Sequence, residues 1–309
     1  MLKSKKGFFR LQLALTLFLS ILICCELDKS DVSFDTSKER FDRPTEIPLH
    51  KYGGGLRTIK AQVGSDTIPF IFDTGGGVTL ITPEIAEKIN CTPFGRLTAF
   101  RCTGERIDLQ RCGEVEFNIE GIPLQTEAAV FDLMSLLPKG WPKAGGIFSL
   151  DTFRNNAITL DLSQNRLIIE TKDSLEDRIA TMKPVNMRIN HQASGRSLDI
   201  FVEIEAKRGS LWLELDTGNT GEVLLAPHAI EQLGLPVPAS DKKTTGLESD
   251  VFETTLNIVG FGPLNVTARK QELIYDGLLN ASTIEKLILT IDLTNEIMWA
   301  TLSEHEKKP

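Results

Sequence analysis

The chain has 309 residues, 41% of them hydrophobic and 25% charged, with a formal net charge of -8. This length suffices for one large domain or two modest ones with a sizeable core. The acidic balance, with no basic cluster beyond the extreme N-terminus, argues against nucleic acid as a partner, because binding it needs a positive face to neutralise phosphates.

Residues 1–25 read as a secretory or lipoprotein signal. Lys3, Lys5, Lys6 and Arg10 form a positive flank, and Leu11 to Cys25 is an almost purely apolar run, too short for a comfortable membrane span. The run ends "LSILICC", where Leu22 before Cys24 or Cys25 loosely resembles a bacterial lipobox without its usual small residue. A lipid-anchored mature N-terminus at Cys24 or Cys25 is the favoured reading; a cleaved soluble form and an uncleaved short anchor stay open. Each places the body outside the cytoplasm, in the periplasm or cell envelope, with membrane contact only through this signal or its lipid. Residues 26–48 are polar, charged and aperiodic, which suits a tether.

Next comes "IKAQVGSDTIPFIFDTG", which reads as strand, glycine-containing turn and a second strand ending in Asp73-Thr74-Gly75. Taken alone, Asp-Thr-Gly is ordinary turn chemistry. It recurs, however, in "VEIEAKRGSLWLELDTG", whose Asp216 lies 143 residues after Asp73 with no gap in the match. After each aspartate follow a short apolar strand and a proline-led helix, "PEIAEKIN" or "PHAIEQLG". Thr103-Gly104 and Thr245-Gly246 then sit in hairpins, and "GGIFSLDTFRNNAITLDLSQNRLII" matches "DGLLNASTIEKLILTIDLTNEIMWA". Two such copies related by a pseudo-twofold axis would bring equivalent loops together, so the two aspartates are expected to meet in a cleft.

From about His50 to Thr301 the chain resembles a two-lobed aspartic peptidase of the pepsin and retropepsin superfamily, especially its compact bacterial members. The resemblance rests on hydrophobic-hydrophobic-Asp-Thr-Gly twice and on the later glycine-led strands "GGIF" and "DGLL". It implies a mostly β, bilobal double-ψ β-barrel acid-protease fold with pseudo-twofold duplication. The implied lobes span residues 49–180 and 181–303, with a tail at 304–309. It further implies catalysis by Asp73 and Asp216, bracing by Thr74 and Thr217, tight turns at Gly75 and Gly218, an extended peptide or protein substrate, a monomer, and no cofactor or metal. Two carboxylates in hydrogen-bond contact cannot both ionise cheaply, so the pair shares one proton and supplies both a base and an acid.

The match has departures. Gly76 and Asn219 follow the two motifs where pepsin-like enzymes commonly have Ser or Thr. Loss of a hydroxyl donor at Gly76 predicts a higher dyad pKa and activity reaching mildly acidic or neutral pH. Neither Tyr52 nor Tyr275 falls in Ala99 to Arg111, where a flap tyrosine is expected. Thr103, Gly104, Thr245 and Gly246 are therefore read as one or two glycine-containing flaps, or else as ordinary surface turns.

Cysteine spacing lets Cys102 face Cys112 across a hairpin as a disulfide in an oxidising compartment; three unpaired cysteines, Cys91 included, are the alternative. His50, His191, His228 and His305 are scattered without metal-ligand spacing. Asp161 and Asp292, also matched by the repeat, precede "LSQN" and "LTNE" and read as strand-end turn formers. The expected function is an exported aspartic endopeptidase, and the alternative is a non-catalytic peptide-binding protein on the same fold.

Overall fold

The computed structural model describes residues 43–236 and 251–306. Cys24, Cys25, Thr245 and Gly246 lie outside the described residues, as do the signal and most of the expected tether. The chain is mostly β, in keeping with its alternating patterns. Among the described residues, no helix is long and apolar enough to cross a membrane.

Each repeat builds its own sheet, in the same strand order. In the first, Arg57–Val63 and Asp66–Phe72 form a hairpin, closed at Gly64, whose φ of 62° suits a tight turn. Gly146–Phe148 runs parallel beside the aspartate strand, with Phe72 opposite Phe148. Leu80–Ile81 comes next, then the second hairpin of Arg106–Ile119 and Ile122–Val130. The second repeat follows suit. Asp199–Glu205 pairs with Ser210–Leu215, Gly277–Leu279 runs parallel to the latter with Leu279 opposite Leu215, and Val223–Leu225 leads to Val251–Ile258 and Gly262–Lys270. The glycines that open the inserted strands are required by close backbone approach. A Cβ at Gly146 would lie 1.9 Å from the Leu80 carbonyl oxygen, and one at Gly277 would lie 2.4 Å from that of Leu224.

The core packs these strands from within. Phe70, Phe117 and Phe148 are fully buried and meet with ring centroids 4.4–5.4 Å apart, fixing the aspartate strand against its parallel neighbour. The proline-led helices Pro83–Lys88 and Pro227–Leu233 bury Ile85, Ala86, Ala229 and Ile230.

A third, six-stranded sheet takes strands from both repeats. At its centre Ala157–Asp161 runs antiparallel to Leu287–Asp292, with Thr159 opposite Thr290. These two threonines occupy matched positions of the repeat and hydrogen-bond each other at 2.8 Å. Matched positions meeting each other is what a self-complementary contact produces. Asp161 accepts from the Gln164 amide, and Asp292 from the Thr294 and Asn295 amides, so both shape turns as expected.

Two sequence expectations need correction. The tether does not extend to Pro48. Thr45–Pro48 is a strand paired with Arg166–Glu170, and its Ile47 is buried; four residues carry too little alternation to stand out in a polar segment. The disulfide joins Cys91 to Cys112, leaving Cys102 as the free thiol. Strand Phe94–Phe100 pairs Phe94 with Arg111 and Phe100 with Arg106, so Cys112 lies at the base of the hairpin whose tip carries Cys102. Cys91 enters that base, and the two Cα atoms stand 5.7 Å apart.

The bridge closes a loop with a sequence separation of 21, worth about 3 kcal/mol in chain entropy. Cys91→Ser and Cys112→Ser are each expected to lower unfolding free energy by about that amount, whereas Cys102→Ser leaves the thermal melt in place. Melts with and without reductant check this; a wild-type melt that reductant does not move would contradict it.

Candidate functional site

The two Asp-Thr-Gly loops leave their strands at equivalent places. The Asp73 amide donates to the Phe148 carbonyl at 3.0 Å, and the Asp216 amide to the Leu279 carbonyl at 3.0 Å. Each threonine then reaches across the repeat boundary. The Thr74 amide donates to Thr217 Oγ1 and the Thr217 amide to Thr74 Oγ1, both at 3.0 Å. The Thr74 hydroxyl donates to the Leu215 carbonyl at 2.6 Å, and the Thr217 hydroxyl to the Phe72 carbonyl at 3.2 Å. Both threonines are buried, so this reciprocal brace holds the two loops in one register without competition from water.

The brace brings the carboxylates of Asp73 and Asp216 side by side, so that the Gly218 amide donates to both, at 3.2 and 2.9 Å. The glycines make that approach sterically available. A Cβ at Gly75 would sit 2.8 Å from Asp216 Cγ, and one at Gly218 would sit 2.5 Å from Asp73 Oδ2. Backbone donors converge on the pair. Gly75 and Gly218 donate to Asp73 Oδ1, and Gly218 and Asn219 to Asp216 Oδ1, at 2.9–3.2 Å. These donors favour ionisation, but burial outweighs them and raises both carboxyls above the ordinary aspartate value. The adjacent charge of Asp73 pushes Asp216 further up.

The loops differ after the glycine. A Cβ at position 76 would meet Ser149 Oγ at 2.6 Å, and that hydroxyl donates to the Asp73 carbonyl at 2.8 Å. Ser149 thus fills the space a side chain at 76 would need. Asn219 instead folds into its own loop, receiving the Gly221 amide and donating to the Glu222 carbonyl.

The dyad forms the floor of a cleft of about 430 Å³. One wall is apolar, with Val78, Leu80, Leu109, Phe131, Leu133 and Ile147. Above lies the tip of the first hairpin, including Cys102 and Thr103. The tip is fastened to the second repeat, because the Ile274 amide donates to the Cys102 carbonyl at 2.8 Å. Gly104, at φ 87°, turns this tip beside Ile274.

Four acidic residues missed by sequence reasoning surround or support the cleft, together with one tyrosine. Asp199, Glu214 and Tyr275 line it; Asp151 lies beneath, accepting from the Thr79 amide at 3.0 Å and the Thr79 hydroxyl at 2.6 Å. Glu127 binds Arg111 and Arg196 near the hairpin. The repeat held a signal for two of them: at the first-copy register, Glu214 falls on Ile71 and Asp199 on Leu56, an acid standing for an apolar residue in each case. Tyr52 lies elsewhere, bonded to the Pro142 carbonyl. Among the described residues His191 bonds the Ser197 carbonyl, His228 bonds Asp276, and no cluster of three or more potential metal ligands occurs.

No protein-family model and no curated protein matches the chain. Among the solved structures that share its fold are basic 7S globulin from soybean, at 12% identity and TM-score 0.53, covering 84% of this chain and 95% of that one; and conglutin gamma, a basic 7S globulin from lupine seeds, at 11% identity and TM-score 0.57, covering 86% and 97%. These findings correct the expectation that the chain is a compact bacterial aspartic peptidase, since the matched structures are named as seed globulins. The paired motifs track a fold, and a fold does not fix an activity.

Thr74→Val and Thr217→Val each strand a buried amide and a buried carbonyl, and each is expected to cost about 2–3 kcal/mol in urea unfolding. The double variant should cost less than the sum, because both substitutions break one network. Stability also follows the buried acids. Burial raises Asp151 to about 6 and Asp199 to about 7, so the folded state binds protons more tightly than the unfolded chain. Their stabilisation is complete below the ordinary aspartate pKa and is lost as pH rises through 6 to 7. Asp199→Asn is therefore expected to become more stable relative to wild type between pH 4 and pH 8, checked by paired unfolding curves.

Proposed function

We propose that the cleft binds an extended peptide and that Asp73 and Asp216 hydrolyse one of its peptide bonds. The observation carrying this reading is the pair of carboxylates that share the Gly218 amide, held by reciprocal threonine bonds and lining a cleft. The ionised carboxylate takes a proton from a bound water as the water oxygen attacks the carbonyl carbon. The protonated carboxyl hydrogen-bonds the carbonyl oxygen and transfers its proton there. The resulting diol collapses as the departing nitrogen is protonated, and the pair returns to its singly protonated state. The seven- and eight-stranded sheets are read as paired double-ψ lobes about a pseudo-twofold axis. Both aspartates come from one chain, so a single copy completes the site. The Cys91–Cys112 disulfide supports an extracytoplasmic location.

A second reading, peptide capture without turnover, is favoured by the comparisons, because the matched structures carry the names of globulins.

The test is cleavage of a degenerate peptide library by the full-length protein alongside Asp73→Asn and Asp216→Asn. Each substitution is expected to reduce turnover at least about a hundredfold. Since burial raises both carboxyls, the rate should peak at mildly acidic to neutral pH, falling at low pH as both become protonated and at high pH as both ionise. Equal activity in all three proteins would end the hydrolase reading, and peptide binding without cleavage by wild type would establish the second.

A further inference from the structure

Glu214 lies two residues before Asp216 on the strand Ser210–Leu215, so the two side chains share a face and look into the same cleft. It is only 3% exposed. Among the described residues its carboxyl group makes no hydrogen bond and no ion pair, and the charged groups acting on it are the like-charged Asp199, Asp216 and Asp73. Burial of a carboxyl without a donor is expensive, and the first copy has Ile71 at the matched position. An apolar side chain would serve packing there. An acid serves a ligand.

Asp199 stands on the adjoining strand and lines the same space. One donor is fixed on it, the Ser197 hydroxyl to Oδ2 at 2.8 Å. The other groups facing this corner are Cys102 at the hairpin tip and Tyr275, both influenced by Glu214, and His191, which acts on Asp199. Arg101 also borders the cleft but pairs with Glu105 at 3.3 Å. Among the described residues no lysine or arginine pairs with Glu214 or Asp199, so the corner offers acceptors to an incoming cation.

We propose that Glu214, with Asp199, forms an acidic subsite beside the dyad that selects a lysine or arginine side chain of the bound peptide. This rests on the peptide reading above, whether or not hydrolysis follows. The cationic head donates to the Glu214 carboxylate, which releases its proton to solvent as the cation enters; Asp199 supplies further acceptors. Leu80, Leu109 and Phe131, which also line the cleft, take an apolar side chain. The preferred peptide thus carries a basic residue together with an apolar one.

The test uses octapeptides in which one peptide unit is replaced by a hydroxyethylene group, so that binding is read without cleavage. Lysine, arginine, norleucine or acetyl-lysine is placed in turn at each position on either side of that unit. Calorimetry on the full chain is expected to show one position where lysine or arginine binds roughly tenfold or more tightly than norleucine and acetyl-lysine, as a charged hydrogen bond warrants. In Glu214→Gln that ratio should fall to less than about threefold, and in Asp199→Asn it should fall partway. Equal binding of all four side chains to wild type would overturn the subsite while leaving peptide binding intact, and this comparison needs no variant to fold. A full lysine preference retained in folded Glu214→Gln would also overturn it. Failure of every peptide to bind would overturn both the subsite and the reading on which it rests.

Discussion

Two like-charged carboxyls brought into contact inside a folded protein are the constraint around which this structure is arranged. Left to themselves, Asp73 and Asp216 repel when ionised and are costly to desolvate. Their meeting is held by the four threonine hydrogen bonds that cross between repeats. It is admitted by Gly75 and Gly218, where any side chain would occupy the opposite carboxylate's space. The parallel strands opened by Gly146 and Gly277 fix the ends of the aspartate strands, and the shared sheet centred on Thr159 and Thr290 holds the repeats together at a distance from the cleft.

Much of this was legible because duplication leaves a register. The strand-turn-strand units, the proline-led helices, the glycine-led strands and both aspartates are all paired in sequence and all appear in matched places in the fold. What escaped depends on tertiary contacts that the register alone does not carry. Cys91 has no counterpart in the second copy, and its pairing with Cys112 depends on where the hairpin base falls, a tertiary fact. Ser149 fills the space beside Gly76 from just past the strand Gly146–Phe148, so the glycine looked like a missing donor when it is also a steric accommodation. The strand Thr45–Pro48 belongs to a sheet whose other members lie more than a hundred residues away. Function was less legible still: motif spacing specifies a frame, and two structures of that frame carry the names of seed globulins.

The differences between the copies mark where chemistry was added to the frame. A duplicated fold begins symmetric, but a peptide has direction, so a cleft that reads one needs unlike walls. Here the first repeat contributes Leu80, Leu109 and Phe131, and the second contributes Asp199 and Glu214. The substitution of Glu214 for the apolar residue of the matched strand changes no strand pairing, since Glu214 still pairs with Phe201 and Leu278.

The same asymmetry bears on the dyad itself. Asp73, Asp216, Asp199, Glu214 and Asp151 are all raised by burial, and several act on one another through their charge. Such a group cannot be fully ionised, so it stores protons and titrates as an ensemble. In the reading proposed, a basic side chain entering beside Glu214 replaces a proton with a fixed positive charge. The exchange conserves net charge, so the dyad feels the dipole of the new ion pair beside Asp216 in place of a neutral carboxyl. Recognition of the peptide and the protonation state needed to act on it become parts of one electrostatic arrangement.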